Sequence, residues 1–314
     1  MSTTNVNEDY FPVKRSSFRP PLSVQRYQYV CNLIRRMSEH HNQQQQQQSI
    51  ESSSFKIESV ADLGSGHCRL AWYLKQLQFL RYIRCLDLNE NCFEGNTYVV
   101  PSTEERFKNR LKPLQIELYQ GDVRQYDSRF RNVDIVTCIE LIEHLPSDTL
   151  DSFVMNVFQF IQPHYCIITT PNFDYNELCR LNNNGYNDQQ QQQSRDHYHN
   201  PLYRDSDHYF EFTRDEFKQW CNQIKEKYPC YTYRLSGVGR LHSLDPDMNL
   251  GYATQIAIFQ RTTTNNNNNI VDDNGDNGDG QQQQSKSIES IQNYQHIRTH
   301  YFGQLWSRSN HRLS

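Results

Sequence analysis

The sequence lacks most of the features that would classify it quickly. Its nine cysteines form no CxxC pair and are odd in number, which fits buried thiols in a reducing compartment better than a disulfide framework. No apolar run approaches the roughly 18 residues a membrane helix requires, and the polar N-terminus does not resemble a secretory leader. The expectation is a soluble, intracellular protein with no membrane partner. Basic excess is missing too: the net charge is −4, so no global positive field advertises nucleic acid, although a local basic groove is compatible with that average. At 314 residues there is ample length to bury a core.

What is present is organised around residues 133–146, VDIVTCIELIEHLP. Residues 133–139 form an apolar, β-branched run of strand length. Glu140, Glu143 and His144 follow directly, three potential metal ligands in five residues. If a helical turn begins at Glu140, offsets of three and four place the three side chains on one face. In an open α/β sheet that position lies in the ligand-binding crevice beyond the strand ends. A solvated helix start is the plain alternative, because acids favour a first turn. The pattern is neither HExxH nor its inverse HxxEH.

Around this stretch the chain reads as alternating strands and helices. An amphipathic helix is expected behind the two prolines of FRPPLSVQRYQYVCNLIRRM, with Leu22, Tyr27, Val30, Leu33 and Ile34 on its apolar face; strands are expected over 56–63, 82–86, 114–119, 133–139 and 165–170; helices over 70–80, 91–107 and 150–161. Thr213 and Glu216 form a capping box opening a helix over 214–227, and two last strands are read at 231–235 and 252–260. The domain reading is a tail over 1–17, a catalytic domain over 18–261 with low-complexity insertions near 40–54 and 182–200, and a mostly disordered Asn/Gln/Gly-rich tail over 262–314. Tyr301, Phe302, Leu305 and Trp306 could dock as a short element, with nothing local to say where.

The turn Asp62-Leu63-Gly64-Ser65-Gly66 follows the first strand, and Asp87 ends the second. Glycines there permit positive φ and close backbone approach, and an acid about 25 residues on can hold ribose hydroxyls. A dinucleotide fingerprint wants a third glycine where this chain has Arg69. A nucleoside without phosphates fits better, and S-adenosylmethionine is one. Asp122, after the third strand, is in place to reach an adenine amino group.

Six motifs in order, FRPPLSVQRYQYV, ADLGSG with LDLNE, CIELIEHL, TTPNFDYN, RDSDHYFEFTRDEF and GVG with GYATQIAIF, resemble the small-RNA 3′-terminal 2′-O-methyltransferase family of the Hua-enhancer type. The resemblance covers nearly all of residues 18–261. It implies an α/β class I S-adenosylmethionine-dependent methyltransferase fold, Rossmann-like and mostly parallel with an antiparallel final strand. It implies metal ligands, and with them the catalytic set, at Glu140, Glu143, His144 and His208, and cofactor contacts at Asp62, Gly64, Gly66, Asp87 and Asp122. The chain has no room for N-terminal double-stranded-RNA-binding modules, which implies a short form acting on the 3′ end of single-stranded small RNA. An Argonaute or Piwi protein is the implied partner and the cytoplasm, RNA granules included, the implied location.

Such chemistry needs a 2′-oxygen positioned in line with a sulfonium methyl. A divalent cation, Mn²⁺ or Mg²⁺, bound by two carboxylates and two imidazoles has open positions for vicinal 2′- and 3′-oxygens and lowers a hydroxyl pKa. Metal-bound imidazole is a poor base, so none is assigned. Arg204, Arg214 and Lys218 are candidates for terminal phosphates or, equally, for a solvated helix face, and Tyr203, Tyr209, Phe210 and Phe212 for base stacking, although aromatics alternating at strand spacing are more often core. The rivals are a metal-dependent O-methyltransferase of small vicinal diols and a small-RNA-binding factor without catalysis.

Overall fold

The computed structural model describes residues 18–47, 55–107, 110–181, 203–242, 245–262 and 291–303. Helices and strands alternate through α1 (Leu22–Gln47), β1 (Ser59–Leu63), α2 (Arg69–Leu74), β2 (Tyr82–Asp87), α3 (Thr103–Phe107), β3 (Leu114–Gln120), β4 (Ile135–Ile139) and α4 (Leu150–Met155). They continue with β5 (Tyr165–Pro171), α5 (Asn176–Leu181), α6 (Arg214–Lys227), β6 (Tyr231–Val238), β7 (Thr254–Arg261) and β8 (Gln295–Phe302). The strands form one sheet in the order β6-β7-β5-β4-β1-β2-β3-β8. Pairing is parallel from β3 through β5 and antiparallel where β7 meets β5 and β6 and where β8 meets β3. The mostly parallel α/β expectation holds, with two antiparallel strands where one was expected.

Helical layers cover both faces of the central strands, which is why those strands are near-continuous apolar runs. The two-residue period of a strand sorts their side chains. Val60, Ile135 and Ile167 point to one layer with Val30, Leu33 and Ile34 of α1 and Leu70 and Leu74 of α2. Ala61, Leu63, Val136 and Ile168 point to the other, with Phe153 of α4 and Phe217, Trp220 and Ile224 of α6. The chain leaves β1 towards β2 and β3, then returns to β4 and β5 on the other side. Strand order therefore reverses between β1 and β4, and the crevice beyond their carboxyl ends is where such a sheet binds ligand.

Several expectations shift in physical detail. α1 runs to Gln47, into the glutamine tract that was read as an insertion. The helix expected over 91–107 is broken: a 3₁₀ turn (Glu90–Phe93) and the short α3 flank an irregular stretch containing Gly95 at φ +60° and Pro101, neither suited to a helix interior. The helix expected over 70–80 stops at Leu74, where the Arg110 guanidinium binds the Lys75 and Leu77 carbonyls. α6 opens with the expected capping box. α4 continues as a turn of wider, π-type pitch (Asn156–Ile161). Inside the expected tail, residues 295–302 form β8 and residues 291–303 are described. The readings for 1–17, 48–54, 182–200 and 263–290, and Leu305 and Trp306, lie outside the described residues.

At the opposite, amino-terminal edge of the strands, His164 stacks on Phe55 at 3.8 Å between ring centroids, and His41 Nε2 bonds the Tyr165 hydroxyl at 2.7 Å. Burial first, then the charges of Arg261 and His41, depress the His164 imidazole from 6.5 to about 4. The unfolded chain therefore takes the proton first as pH falls through 6.5, and folding stability declines from there towards pH 4. The midpoint of thermal unfolding should fall between pH 7 and 5, and a His164→Gln variant should show a flatter slope over that interval. An identical slope in the variant would contradict this.

Candidate metal and cofactor centre

β4 does not lead into a helical turn at Glu140. Glu140 takes a left-handed φ of +51°, an uncommon state for a side-chain-bearing residue and one often stored at functional sites. Its amide is held by Thr169 of β5, through the carbonyl at 3.1 Å and the hydroxyl at 3.0 Å. Only then does a 3₁₀ turn form (Ile142–His144), ending before Pro146. The common helical face expected for Glu140, Glu143 and His144 is thus not built. Glu143 and His144 instead turn together towards His208, which arrives from the segment before α6.

The ligand atoms of Glu143, His144 and His208 lie within 4.8 Å of one another. Glu143 is 0% exposed. Its Oε2 accepts from the Thr170 hydroxyl at 3.0 Å, while its Oε1 is buried with no hydrogen-bond partner among the described residues. Burial, then the nearby charge of Glu140, push its carboxyl well above the ordinary value. The imidazoles meet edge to face with centroids 4.8 Å apart. His208 Nδ1 lies 2.6 Å from Glu211 Oε1 and His144 Nδ1 3.2 Å from Asp207 Oδ2. A carboxylate behind the ring orients His208, as it does in many ligating histidines, and His144 has one within ion-pair distance. A buried carboxylate and two imidazoles with ligand atoms this close together fit a divalent cation.

Glu140 stands outside this cluster. Its Oε2 pairs with Arg26 of α1 at 3.1 Å and its Oε1 accepts from the Thr169 hydroxyl at 2.9 Å. Sequence reasoning gave no role to Arg26, Thr169, Thr170 or Glu211, although all four sit inside motifs it singled out. Glu211 is the hub of the His208 side. It also binds the Asn176 side chain and, at 2.6 Å, the Arg204 amide. Burial alone would raise its carboxyl, but these bonds outweigh burial and hold it below the ordinary value. Arg204 is not presented to a ligand: Nη2 binds the Asn172 and Ala253 carbonyls at 3.2 and 3.0 Å. Arg214 pairs with Asp174 and stays exposed, as does Lys218. Phe210 and Phe212 pack on the core against Trp220 and Phe217, and Tyr203 stands edge-on to Phe173. Tyr209 alone of the four is largely exposed, at 60%.

The cofactor half lies alongside. Gly64 and Gly66 take φ of +70° and +49°. A Cβ on Gly64 would strike Leu141 Cδ1 at 2.6 Å, whereas one on Gly66 would meet nothing within 4 Å. Gly64 therefore lets the glycine turn pack directly on the turn carrying Glu140 and Glu143, and Gly66 borders open space. Asp87 Oδ2 accepts from the Gly66 amide at 2.7 Å, joining the ends of β1 and β2. Asp62 is buried and accepts from Thr137 at 2.8 Å. Burial pushes its carboxyl up to about 7, against the Thr137 bond and with a push from Asp87. Asp122 is held low, first by its bonds from Arg124. Tyr27 of α1 faces the same region: its phenol is raised by burial, then by the charge of Asp62. Paired acids and an open glycine edge suit a cationic nucleoside.

If Glu211 fixes the His208 ring, Glu211→Gln should weaken Mn²⁺ binding by about tenfold or more, measured by calorimetry on folded protein. Unchanged affinity would show that His208 is not a ligand or needs no orienting partner.

No protein-family model matches the sequence. The small RNA 2′-O-methyltransferase of Rattus norvegicus is 34% identical over 247 residues, covering 78% of this chain and 52% of the rat protein. The chain spans about half the length of the curated relatives it matches. Among solved structures, the methyltransferase domain of bacterial CtHen1-C aligns with a TM-score of 0.54 at 26% identity, over 77% of this chain and 100% of that one. The small RNA methyltransferase HEN1 shares the fold, with a TM-score of 0.61 at 24% identity over 92% of this chain and 29% of that one. With identity at this level across more than three quarters of its length, on the same fold, the chain belongs to the small RNA 2′-O-methyltransferase family.

Proposed function

We propose that this chain transfers a methyl group from S-adenosylmethionine to the 2′-hydroxyl of the 3′-terminal nucleotide of single-stranded small RNAs, protecting that end. The observation that carries this reading is the fully buried Glu143, one oxygen of which has no hydrogen-bond partner among the described residues, with its ligand atom within 4.8 Å of those of His144 and His208. Glu143, His144 and His208 would hold one Mn²⁺ or Mg²⁺ ion, with Glu140 joining them once released from Arg26. When bound, that ion supplies Lewis acidity at vicinal ribose oxygens, and the sulfonium of the cofactor supplies an activated methyl group.

The chain's own residues do the rest by position. Gly64 and Gly66 shape the turn, Asp87 is placed for ribose hydroxyls, and Asp62 lies buried at the end of β1, anchored by Thr137. Thr170 and Glu211 fix Glu143 and His208 so that little reorganisation remains when substrate arrives. Because Glu143 is fully buried and His208 nearly so, a chain terminus with both hydroxyls free fits the site better than an internal nucleotide. Tyr209, exposed next to His208, offers a face for an unpaired base. An Argonaute or Piwi protein that presents the RNA end, and action in the cytoplasm, complete the proposal.

The test is methyl transfer from labelled cofactor to single-stranded RNAs ending in ribose, 2′-deoxyribose or 3′-deoxyribose. Incorporation only with both hydroxyls, lost with EDTA and in Glu143→Ala, is the expected result. Equal transfer to the 3′-deoxy RNA would contradict the paired-oxygen arrangement, and transfer only to a catechol would favour a small-diol enzyme.

A further inference from the structure

The loop after β3, residues 121–130, is held by two parts of the chain that are remote in sequence. From α4, Asn156 sits in the π-type turn, 1% exposed, and donates to the carbonyls of Val123 at 2.8 Å and Gln125 at 2.6 Å. A wider helical turn re-aims a side chain in this way. From the far end of the chain, the residues leading into β8 do the same work. Ile291 accepts from the Ser128 amide at 2.8 Å, and Asn293 donates to the Tyr126 carbonyl at 2.6 Å. The Tyr294 amide donates to Asp127 Oδ2 at 2.9 Å, and Arg129 bridges Asp127 and the Tyr294 carbonyl. Tyr294 itself is 4% exposed; its hydroxyl donates to the Gln125 carbonyl and accepts from Asn156 Nδ2. Its ring lies so close under Gly121 that a Cβ there would come within 2.2 Å of Cδ1.

Between Gly121 and Val123 stands Asp122, whose carboxylate is bound within the loop by Arg124. Gly121 also donates its amide to the Asp87 carbonyl at 3.0 Å, tying the loop to the end of β2. The turn carrying Asp122 is thus seated on the Tyr294 ring, and no side chain larger than hydrogen fits at its first residue. We propose that Tyr294 is a positioning residue for the cofactor: the C-terminal strand builds the floor of the cofactor loop and sets the height of Asp122 beside Asp87. Covering the otherwise open edge of β3 is a second service of the same strand. The proposal rests on the reading of Asp122 as a cofactor contact.

The experiment uses the full chain and S-adenosylhomocysteine binding by calorimetry, with thermal unfolding and Mn²⁺ affinity alongside. Tyr294→Ala should weaken S-adenosylhomocysteine by about tenfold, as ångström-scale misplacement of a contact does, with Mn²⁺ affinity unchanged. Tyr294→Phe, which keeps the ring under Gly121, should recover most of the loss. Phe302→Ala is the stability control: Phe302 is buried at the opposite end of β8, paired with Leu114, so it should lower the unfolding midpoint and spare cofactor affinity. Equal weakening in Phe302→Ala and Tyr294→Ala, or none in Tyr294→Ala while Asp122→Ala binds poorly, would overturn the proposal. If Asp122→Ala binds as wild type does, the assignment of Asp122 fails and the proposal with it. If the wild-type chain does not bind S-adenosylhomocysteine, the proposed function itself fails.

Discussion

Burying a carboxylate costs several kcal/mol unless its charge is neutralised and its oxygens are hydrogen-bonded. Glu143 meets that demand halfway: Thr170 satisfies one oxygen, and nothing among the described residues satisfies the other. The neighbouring charge of Glu140 makes the position worse, and Arg26 only partly offsets it. A pocket built this way is stable with a proton or a cation at Glu143 and poor without either. The rest of the site follows from that constraint. Two imidazoles bring ligand atoms within 4.8 Å of that of Glu143, and each has a carboxylate beside its Nδ1.

The fold brings these groups together at the point where strand order reverses. β4 and β5 provide Glu140, Glu143, Thr169 and Thr170, β1 and β2 provide the glycine turn and Asp87, and α1 closes over both with Arg26 and Tyr27. The contact between Gly64 and Leu141 makes the two halves one body. A side chain at position 64 would have to displace Leu141, next to Glu140, and would hold a strained φ of +70°. Cofactor placement and ligand placement are therefore coupled by packing, before any ligand is considered.

Much of this was legible in the sequence because the relevant signals are local. Apolar β-branched runs gave the central strands, and Thr213 with Glu216 gave the start of α6. Glu143, His144 and His208 were identified as ligands through motif resemblance, and the structure brings all three together. Glu140 was misjudged in geometry, because a left-handed residue at a strand end is fixed by Thr169, 29 residues away, and leaves little trace in spacing. Arg204 reads as a phosphate contact from its nearness to His208; the carbonyls its guanidinium binds belong to Asn172, just after β5, and Ala253, just before β7. β8 is legible only as a short docking element around Tyr301 and Phe302, with no strand or partner assigned. It pairs at the edge opposite β7, six strand positions across the sheet, and a polar segment of that kind shows its partner only in three dimensions.

The most direct test of the central claim is a crystal structure grown with Mn²⁺, S-adenosylhomocysteine and a short RNA, with anomalous scattering used to locate manganese. The account predicts a single strong peak bonded to Glu143 Oε1 and to an imidazole nitrogen of both His144 and His208, with Glu140 drawn away from Arg26. A site filled by cofactor and RNA but with no manganese among these residues, and Glu140 still paired with Arg26, would contradict it.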